Sequence, residues 1–387
     1  MPPRRSAVRL AAPSSSDARD VLRALRAAVF GAGPAVALGG ADLPDEVPPG
    51  TAVVVTTSGS TGVPKSVALS RNALLASAFA TSARIGEGAW LLAVPATYVA
   101  GVQVLVRALA AEREPGVLAG SFRPDAFAAA ALGLVSHENG ARVPTYTSLV
   151  PAQLQRLLDA ADEDPQVAEA LRSFERILVG GQALPPATRE RAAGLGARIV
   201  RTYGSTETSG GCVYDGVPLD GVEVAIVDGE VRLTGPTLAD GYLGEPARTA
   251  EIFPTDAAGV RWYRTGDAGE LTDGVLRVTG RLDNVIVSGG VNVSLDRVEA
   301  VVRGIPGLET AVVVPVEDAT WGQGSAVVAV GAGPADALLR RVRDAVGLEV
   351  GRPARPSRVV LVEEMPVLSS GKPDRALLRR RLAAGAA

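Results

Sequence analysis

The stretch TSGSTGVPKS, residues 57–66, gathers hydroxyls, Gly59, Gly62 and Lys65 directly after the apolar run VVV. Such a loop suits an oxyanion, because glycine lets backbone N–H groups approach closely and a lysine adds a point charge. From Gly59 it nearly fits G-x-x-x-x-G-K-[ST], but the position that must be glycine is Pro64. Proline has a locked φ and no N–H, so this is a phosphate loop of another design than a Walker loop, or no binder at all. Four further stretches carry groups able to act with it. YGSTETSGG, residues 203–211, offers an aromatic ring, hydroxyls and the Glu207 carboxylate, suited to stacking, phosphate hydrogen bonds and Mg2+ ligation. YRTGD ends at Asp267, a carboxylate after a tight glycine, able to grip two ribose hydroxyls. GRLDNVIVSGG sets Arg281 and Asp283 at a domain boundary, followed by the pair Gly289 and Gly290. PVLSSGKPDR places Lys372 in a turn. Each stretch alone also fits an ordinary turn. Their order and spacing along one chain carry the argument.

Of the 39 basic residues only Lys65 and Lys372 are lysine, the other 37 being arginine. Arginine has taken nearly every solvated basic position, so these two mark places where a compact ammonium serves and a planar fork does not. Both lie in Gly/Ser-rich loops. The single histidine, His137 in LVSHENG, excludes poly-histidine metal sites and reads as part of a polar loop at a strand end. The single cysteine, Cys212, excludes an intrachain disulfide framework, suits a reducing compartment and reads as a small buried residue. A net charge of −3 gives no global reason to expect nucleic acid. No apolar run approaches a membrane span, so no membrane insertion is expected. The first residues lack the continuous apolar core of a signal peptide, and a cytoplasmic protein is expected.

These groups need a scaffold. With 387 residues and a 47% apolar fraction, roughly two domains are expected. From Thr51 to about Val227, short apolar runs (VVVTT, WLLAVP, GLVS, RILVGG, RIVRTY) alternate with helical stretches. LSRNALLASAFATSARIG reads as a helix capped by Ser70 and stopped by Gly86. This alternation predicts an α/β domain with a largely parallel sheet, whose strand C-termini hold the ligand. VEVAIVDGEVRLTG and VLRVTGR predict hairpins of a β-rich subdomain. Past Arg281 a small α+β domain follows, giving a division into residues 1–281 and 282–387. The first fifty residues yield one helix, DARDVLRALRAAVF, and little else.

Taken together, the five motifs resemble the acyl-adenylate-forming superfamily of acyl-CoA synthetases, luciferases and peptide-synthetase adenylation domains, from about residue 50 to the end. Within it, PTYTSLVPAQLQRLL, ILVGGQALPPATRERA and RTYGSTETSGG are most similar to the short actinobacterial form of the o-succinylbenzoate–CoA ligases of menaquinone biosynthesis. The resemblance implies a large N-terminal α/β adenylation domain with a β-rich subdomain and a small mobile C-terminal α+β domain. It implies ATP, Mg2+ and CoA as cofactor and co-substrates, and small-molecule substrates, with a homodimer left open. Thr57, Ser58, Gly59, Ser60, Thr61, Gly62 and Lys65 are then the phosphate loop. Gly181, Gln182, Ala183, Tyr203, Gly204, Ser205 and Thr206 face the nucleotide, with Tyr203 stacked on adenine and Thr206 at the α-phosphate. Glu207 binds Mg2+, Asp267 and Arg281 hold the ribose, and Lys372 contacts the reacting carboxylate. Asp283 is the hinge, and Gly289 and Gly290 line the pantetheine path. Tyr98, in PATYVAG, stands where many relatives carry histidine; with Arg201, Ser209, Gly210 and Gly211 it falls near the acyl side. A ligase for another aryl or short acyl acid has the same signature. A non-catalytic relative would have lost Lys372 or Glu207.

Overall fold

The computed structural model describes residues 7–40, 43–58, 64–134, 137–318, 321–368 and 371–384. Two sheets enclose a pair of helices. In the first sheet Val8–Ala11, Ala35–Leu38 and Thr51–Ser58 run parallel, and Thr51–Ser58 pairs antiparallel with Pro64–Ser70. In the second, Gly116–Val117, Ala89–Leu92, Thr145–Leu149, Arg176–Gly180 and Ile199–Ser205 are parallel, and Gly210–Tyr214 and then the edge strand Val217–Pro218 add antiparallel. Helices Arg71–Ile85 and Val99–Ala110 lie between them. Leu74, Ala78, Val102, Leu105 and Val106 share one core with Val53 and Val55 of the first sheet and with Trp90 and Leu92 of the second. The other face of the second sheet buries Phe127, Leu154, Leu158 and Leu171 of the outer helices.

Local chemistry sets the helix limits. Ser70 Oγ accepts from the Ala73 N–H at 3.2 Å, capping Arg71–Ile85, and Gly86 ends it at φ +94°. Pro124–Leu132, Pro151–Ala161, Pro165–Ser173 and Pro186–Leu195 each begin on proline, whose missing N–H costs nothing in the first turn. Glu223–Val227, Glu230–Thr234, Tyr263–Thr272 and Val275–Arg281 form an antiparallel four-stranded sheet, as the hairpin signals predict. After it comes a five-stranded sheet with its own cores. Leu295–Arg303 and Ala335–Glu349 cover one face through Val298, Val302, Val342 and Val346, and Arg375–Ala383 covers the other through Leu378 and Leu382.

Two expectations need correction. The first fifty residues contain more than a helix: Val8–Ala11, Ala35–Leu38 and Glu46–Val47 all join the first sheet. Strands of two to four residues bounded by Pro and Gly leave too little alternation to read. GLVS is not a strand where it can be followed, because Gly133 and Leu134 form the turn after Pro124–Leu132; Val135 and Ser136 lie outside the described residues. TYTSL supplies a strand instead, Thr145–Leu149, between Ala89–Leu92 and Arg176–Gly180. No helix among the described residues is long and apolar enough to cross a membrane.

Candidate functional site

The parallel strand Ile199–Ser205 ends in a single 3-10 turn, Thr206–Thr208, which leads back into Gly210–Tyr214. Thr208 Oγ1 accepts from the Ser205 N–H at 2.9 Å and donates to the Gly210 carbonyl at 2.7 Å, so one hydroxyl ties both arms of the turn. Ser209 takes φ +53° to reverse the chain. The turn therefore holds Thr206 and Glu207 at the C-terminal end of the parallel strands, where open α/β sheets bind ligands.

Glu207 is 2% exposed. Its carboxylate pairs with the Lys65 ammonium and accepts from Tyr242 Oη at 2.9 Å. Tyr242 arrives on the short strand Gly241–Tyr242, which pairs with Pro64–Ser70, the strand carrying Lys65. Burial alone would raise the Glu207 pKa, but the Lys65 charge and hydrogen bond outweigh it and hold the carboxyl below its ordinary range. A buried, ionised carboxylate is a hard oxygen donor. Among the described residues no group of three or more His, Cys, Asp or Glu could cage a metal. The donor set fits a cation that takes most of its ligands from phosphate and water, as Mg2+ does, and not an all-protein site.

A second cluster surrounds Asp267. Tyr203 Oη donates to Asp267 Oδ2 at 2.6 Å, and Arg281 Nη1 donates to Asp267 Oδ1 at 3.1 Å. Arg281 also forks onto Asp283 through Nε and Nη2 at 2.9 and 3.0 Å. Gly266 adopts φ +70°, and a Cβ there would lie 3.0 Å from Arg281 Nη2, so the glycine of TGD serves both the turn and the arginine's approach. Burial raises the Asp267 pKa, opposed by Tyr203 and Arg281. Burial and then the Asp267 charge raise that of Tyr203, and the Asp283 hydrogen bonds raise that of Arg281.

Lys372 reaches this site from the small domain. A Cβ at Gly181 would lie 3.4 Å from Lys372 Cε, and one at Gly371 would lie 3.6 Å from Val150 Cγ2. The turn thus seats on the loops after Thr145–Leu149 and Arg176–Gly180. Lys372 is exposed as a residue, yet desolvation of its ammonium by the surrounding protein lowers its pKa, and the Glu207 charge opposes that shift.

The remaining candidates spread more widely. Gly204 and Ser205 finish the strand beside Tyr203; Gln182 and the exposed Ala183 follow Gly181. Thr57 sits across from Lys65, and Ser58 ends its strand. Gly59, Ser60, Thr61 and Gly62 lie outside the described residues. Tyr98 is the residue before the Val99–Ala110 helix, and Gly210 abuts that helix, with a Cβ position 3.1 Å from Gln103 Cγ. Gly211 follows at the start of the returning strand, paired with Gly204. Arg201 is not brought to them. It lies at the far end of the strand pair, exposed, with Nε 3.0 Å from Asp215 Oδ1. Gly289 and Gly290 occupy the turn of a small-domain hairpin at φ +56° and +80°, with Gly289 donating its N–H to the Trp321 carbonyl at 2.9 Å. Cys212 is fully buried, and burial pushes its thiol pKa up to about 12. Sequence reasoning missed Tyr242, whose only signal is the motif GYLGEP between glycines.

Residues 8–243 match the AMP-binding enzyme family, and residues 297–372 match the AMP-binding enzyme C-terminal domain. The chain is 37% identical over 390 residues to the probable 2-succinylbenzoate–CoA ligase of Mycobacterium tuberculosis, covering 96% of this chain and 97% of that one. It is 31% identical over 349 residues to the 2-succinylbenzoate–CoA ligase of Enterococcus faecalis, covering 83% and 67%. Among solved structures, the amide bond synthetase McbA from Marinactinospora thermotolerans superposes with a TM-score of 0.71 at 29% identity, covering 90% of this chain and 76% of that one. A variant of Escherichia coli MenE with bound OSB-AMS gives 0.67 at 28% identity, covering 89% and 71%.

Proposed function

The chain belongs to the AMP-binding enzyme family, and from that premise we propose that it joins 2-succinylbenzoate to CoA through an acyl-adenylate. In the first half-reaction a substrate carboxylate oxygen attacks the α-phosphorus of ATP, the bond to the β-phosphate oxygen breaks, and pyrophosphate leaves. In the second, the CoA sulfur attacks the acyl carbon and AMP leaves. Such chemistry needs in-line placement and charge neutralisation more than proton transfer, which suits a chain with one exposed histidine.

Each side chain then has a task. Tyr203 stacks on adenine, and Asp267 and Arg281 grip the ribose. The loop from Thr57 to Lys65 holds the outer phosphates, and Thr206 the α-phosphate. Glu207 would hold Mg2+, which would neutralise phosphate charge there. Lys372 stabilises charge between the attacking carboxylate and the α-phosphate. We divide the chain at 281/282, with Asp283 as the hinge about which the small domain turns Lys372 away and brings Gly289 and Gly290 to the pantetheine arm. The reaction is assigned to the reducing, ATP- and CoA-containing cytoplasm. The observation that carries this reading is the seat of Lys372 against Gly181, within the field of Glu207.

The test is pyrophosphate release with 2-succinylbenzoate beside benzoate and a medium-chain fatty acid. Preferred turnover of 2-succinylbenzoate is the expected result. Equal or better turnover of either other acid assigns a different acyl substrate, and no turnover of any acid removes the ligase reading.

A further inference from the structure

The segment 239–242 is tied to the Glu207 turn twice. The Ala239 N–H donates to the Glu207 backbone carbonyl at 2.8 Å, and Tyr242 Oη donates to Glu207 Oε1 at 2.9 Å. The same stretch is tied to the strand Pro64–Ser70, which carries Lys65. The Asp240 N–H donates to the Ala68 carbonyl at 2.9 Å, and the Leu243 N–H to the Ser66 carbonyl at 2.8 Å. Arg261 clasps the segment, donating to the Ala239 carbonyl at 2.8 Å and to the Asp240 carbonyl at 2.9 Å. One short piece of chain thus joins the exit of the phosphate loop to the candidate metal carboxylate.

Tyr242 is 6% exposed, and its ring is enclosed. Arg248 Cζ lies 4.9 Å from the ring centroid, Lys65 Nζ lies 5.3 Å from it, and the Phe253 ring is tilted against it at 5.9 Å. The Tyr242 N–H donates to Thr249 Oγ1 at 2.9 Å, so backbone and ring are both fixed behind the hydroxyl. Lys65 and Tyr242 reach the same carboxylate oxygen, Glu207 Oε1. They are not equivalent partners. Lys65 carries its charge on a flexible four-carbon stem, and in the ligase reading it serves the outer phosphates of ATP. An ammonium drawn to phosphate loosens its hold on Glu207. Tyr242 has no phosphate task in that reading and stays on Oε1.

We propose that Tyr242 is a positioning residue for the divalent cation: its hydroxyl holds the Glu207 carboxylate in place when nucleotide draws Lys65 away. The proposal rests on the ligase reading above, in which Glu207 takes Mg2+, and adds the residue that aims it. A carboxylate already fixed by a donor on one oxygen loses little freedom when a cation binds. Hydrogen-bonding partners behind metal ligands typically account for ~10–10²-fold in metal affinity.

The experiment measures ATP affinity by isothermal titration calorimetry, without acid, once with Mg2+ and once with a chelator. The parent enzyme is expected to bind ATP at least ~20-fold tighter with the metal. Tyr242→Phe keeps the ring between Arg248 and Lys65 and removes only the hydroxyl. It should lower that ratio about tenfold, with metal-free ATP affinity within about twofold of the parent. In acyl-AMP formation its Mg2+ requirement should rise by the same factor, with kcat at saturating Mg2+ within about threefold. A merely structural tyrosine would lower the unfolding midpoint and leave the ratio alone. An unchanged ratio in Tyr242→Phe overturns the proposal. If that variant does not fold, an unchanged ratio in Tyr242→Met, whose flexible chain fills irregular gaps, does so. A parent whose ATP affinity ignores Mg2+ overturns the metal assignment of Glu207 and the proposal with it. A parent with the metal effect but no acyl-AMP from any acid overturns the ligase reading, whereas an active parent with ratio-neutral variants overturns the proposal alone.

Discussion

On the nucleotide side of the Thr206–Thr208 turn, charged groups hold one another: Glu207 pairs with Lys65 and Tyr242, and Asp267 with Tyr203 and Arg281. Behind the turn, toward helix Val99–Ala110, Ser209 Oγ, Gln103 Oε1 and Arg107 Nε are buried without a hydrogen-bond partner among the described residues. The first side is preorganised, its dipoles and charges fixed before any ligand arrives, so little reorganisation accompanies reaction. The second holds polar atoms whose hydrogen-bonding capacity is unmet.

Breaking the preorganised side should cost most. Glu207→Gln keeps the shape, removes the charge a hard cation needs and leaves Lys65 without its counter-ion. Adenylation should fall on the order of 10³, with a raised Mg2+ requirement read by titration in the pyrophosphate assay. An unchanged Mg2+ dependence would move the metal elsewhere. Asp267→Asn removes the charge facing Arg281 and weakens acceptance from Tyr203. The KM for ATP should rise ~10–10²-fold with the acid KM little changed, which steady-state kinetics separates. Equal rises in both would mean that the two sides are not independent.

A third variant probes the small domain alone. Glu299 accepts from Arg375 Nη2 at 2.6 Å and from the Val313 N–H at 2.8 Å, and lies 2.8 Å from Arg303 Nη2. Glu299→Ala strands Arg303 in a buried site and should cost the small domain about 3–5 kcal/mol, measured by denaturant unfolding. ATP affinity of the large domain should change less than threefold. The smallest effect concerns pH. Lys372 is charged only below its pKa, and crowding lowers that pKa. Adenylation kcat/KM should therefore decline as pH rises, on a limb below the ~10.4 of an ordinary lysine. A limb at or above that value would mean the ammonium is as free as a surface lysine.

The sequence made the nucleotide side visible because its parts are local. Glycines, hydroxyls and a carboxylate within YGSTET, or a glycine one residue before Asp267, announce tight turns at strand ends whatever the rest of the chain does. Tyr242 was hidden because its contact with Glu207 depends on pairing between strands some 170 residues apart in the chain, Gly241–Tyr242 and Pro64–Ser70. Gln103 and Arg107 were hidden for another reason. In VAGVQVLVRALA they are the two polar side chains of a helix buried between two sheets, and both are themselves buried. Periodicity locates an apolar face but is silent on a polar group buried within it. The early strands failed by length, being too short to alternate.

Lys372 is expected to act only while the small domain is seated as it is here, with that residue against Gly181 and near Glu207. Two single-turnover assays on Lys372→Ala test it, one following acyl-AMP formation from ATP and 2-succinylbenzoate, the other thioester formation from preformed acyl-AMP and CoA. A loss of ~10²–10³ is expected in the first, with the second within a few-fold of the parent enzyme. Equal losses in both halves, or none in either, would contradict it.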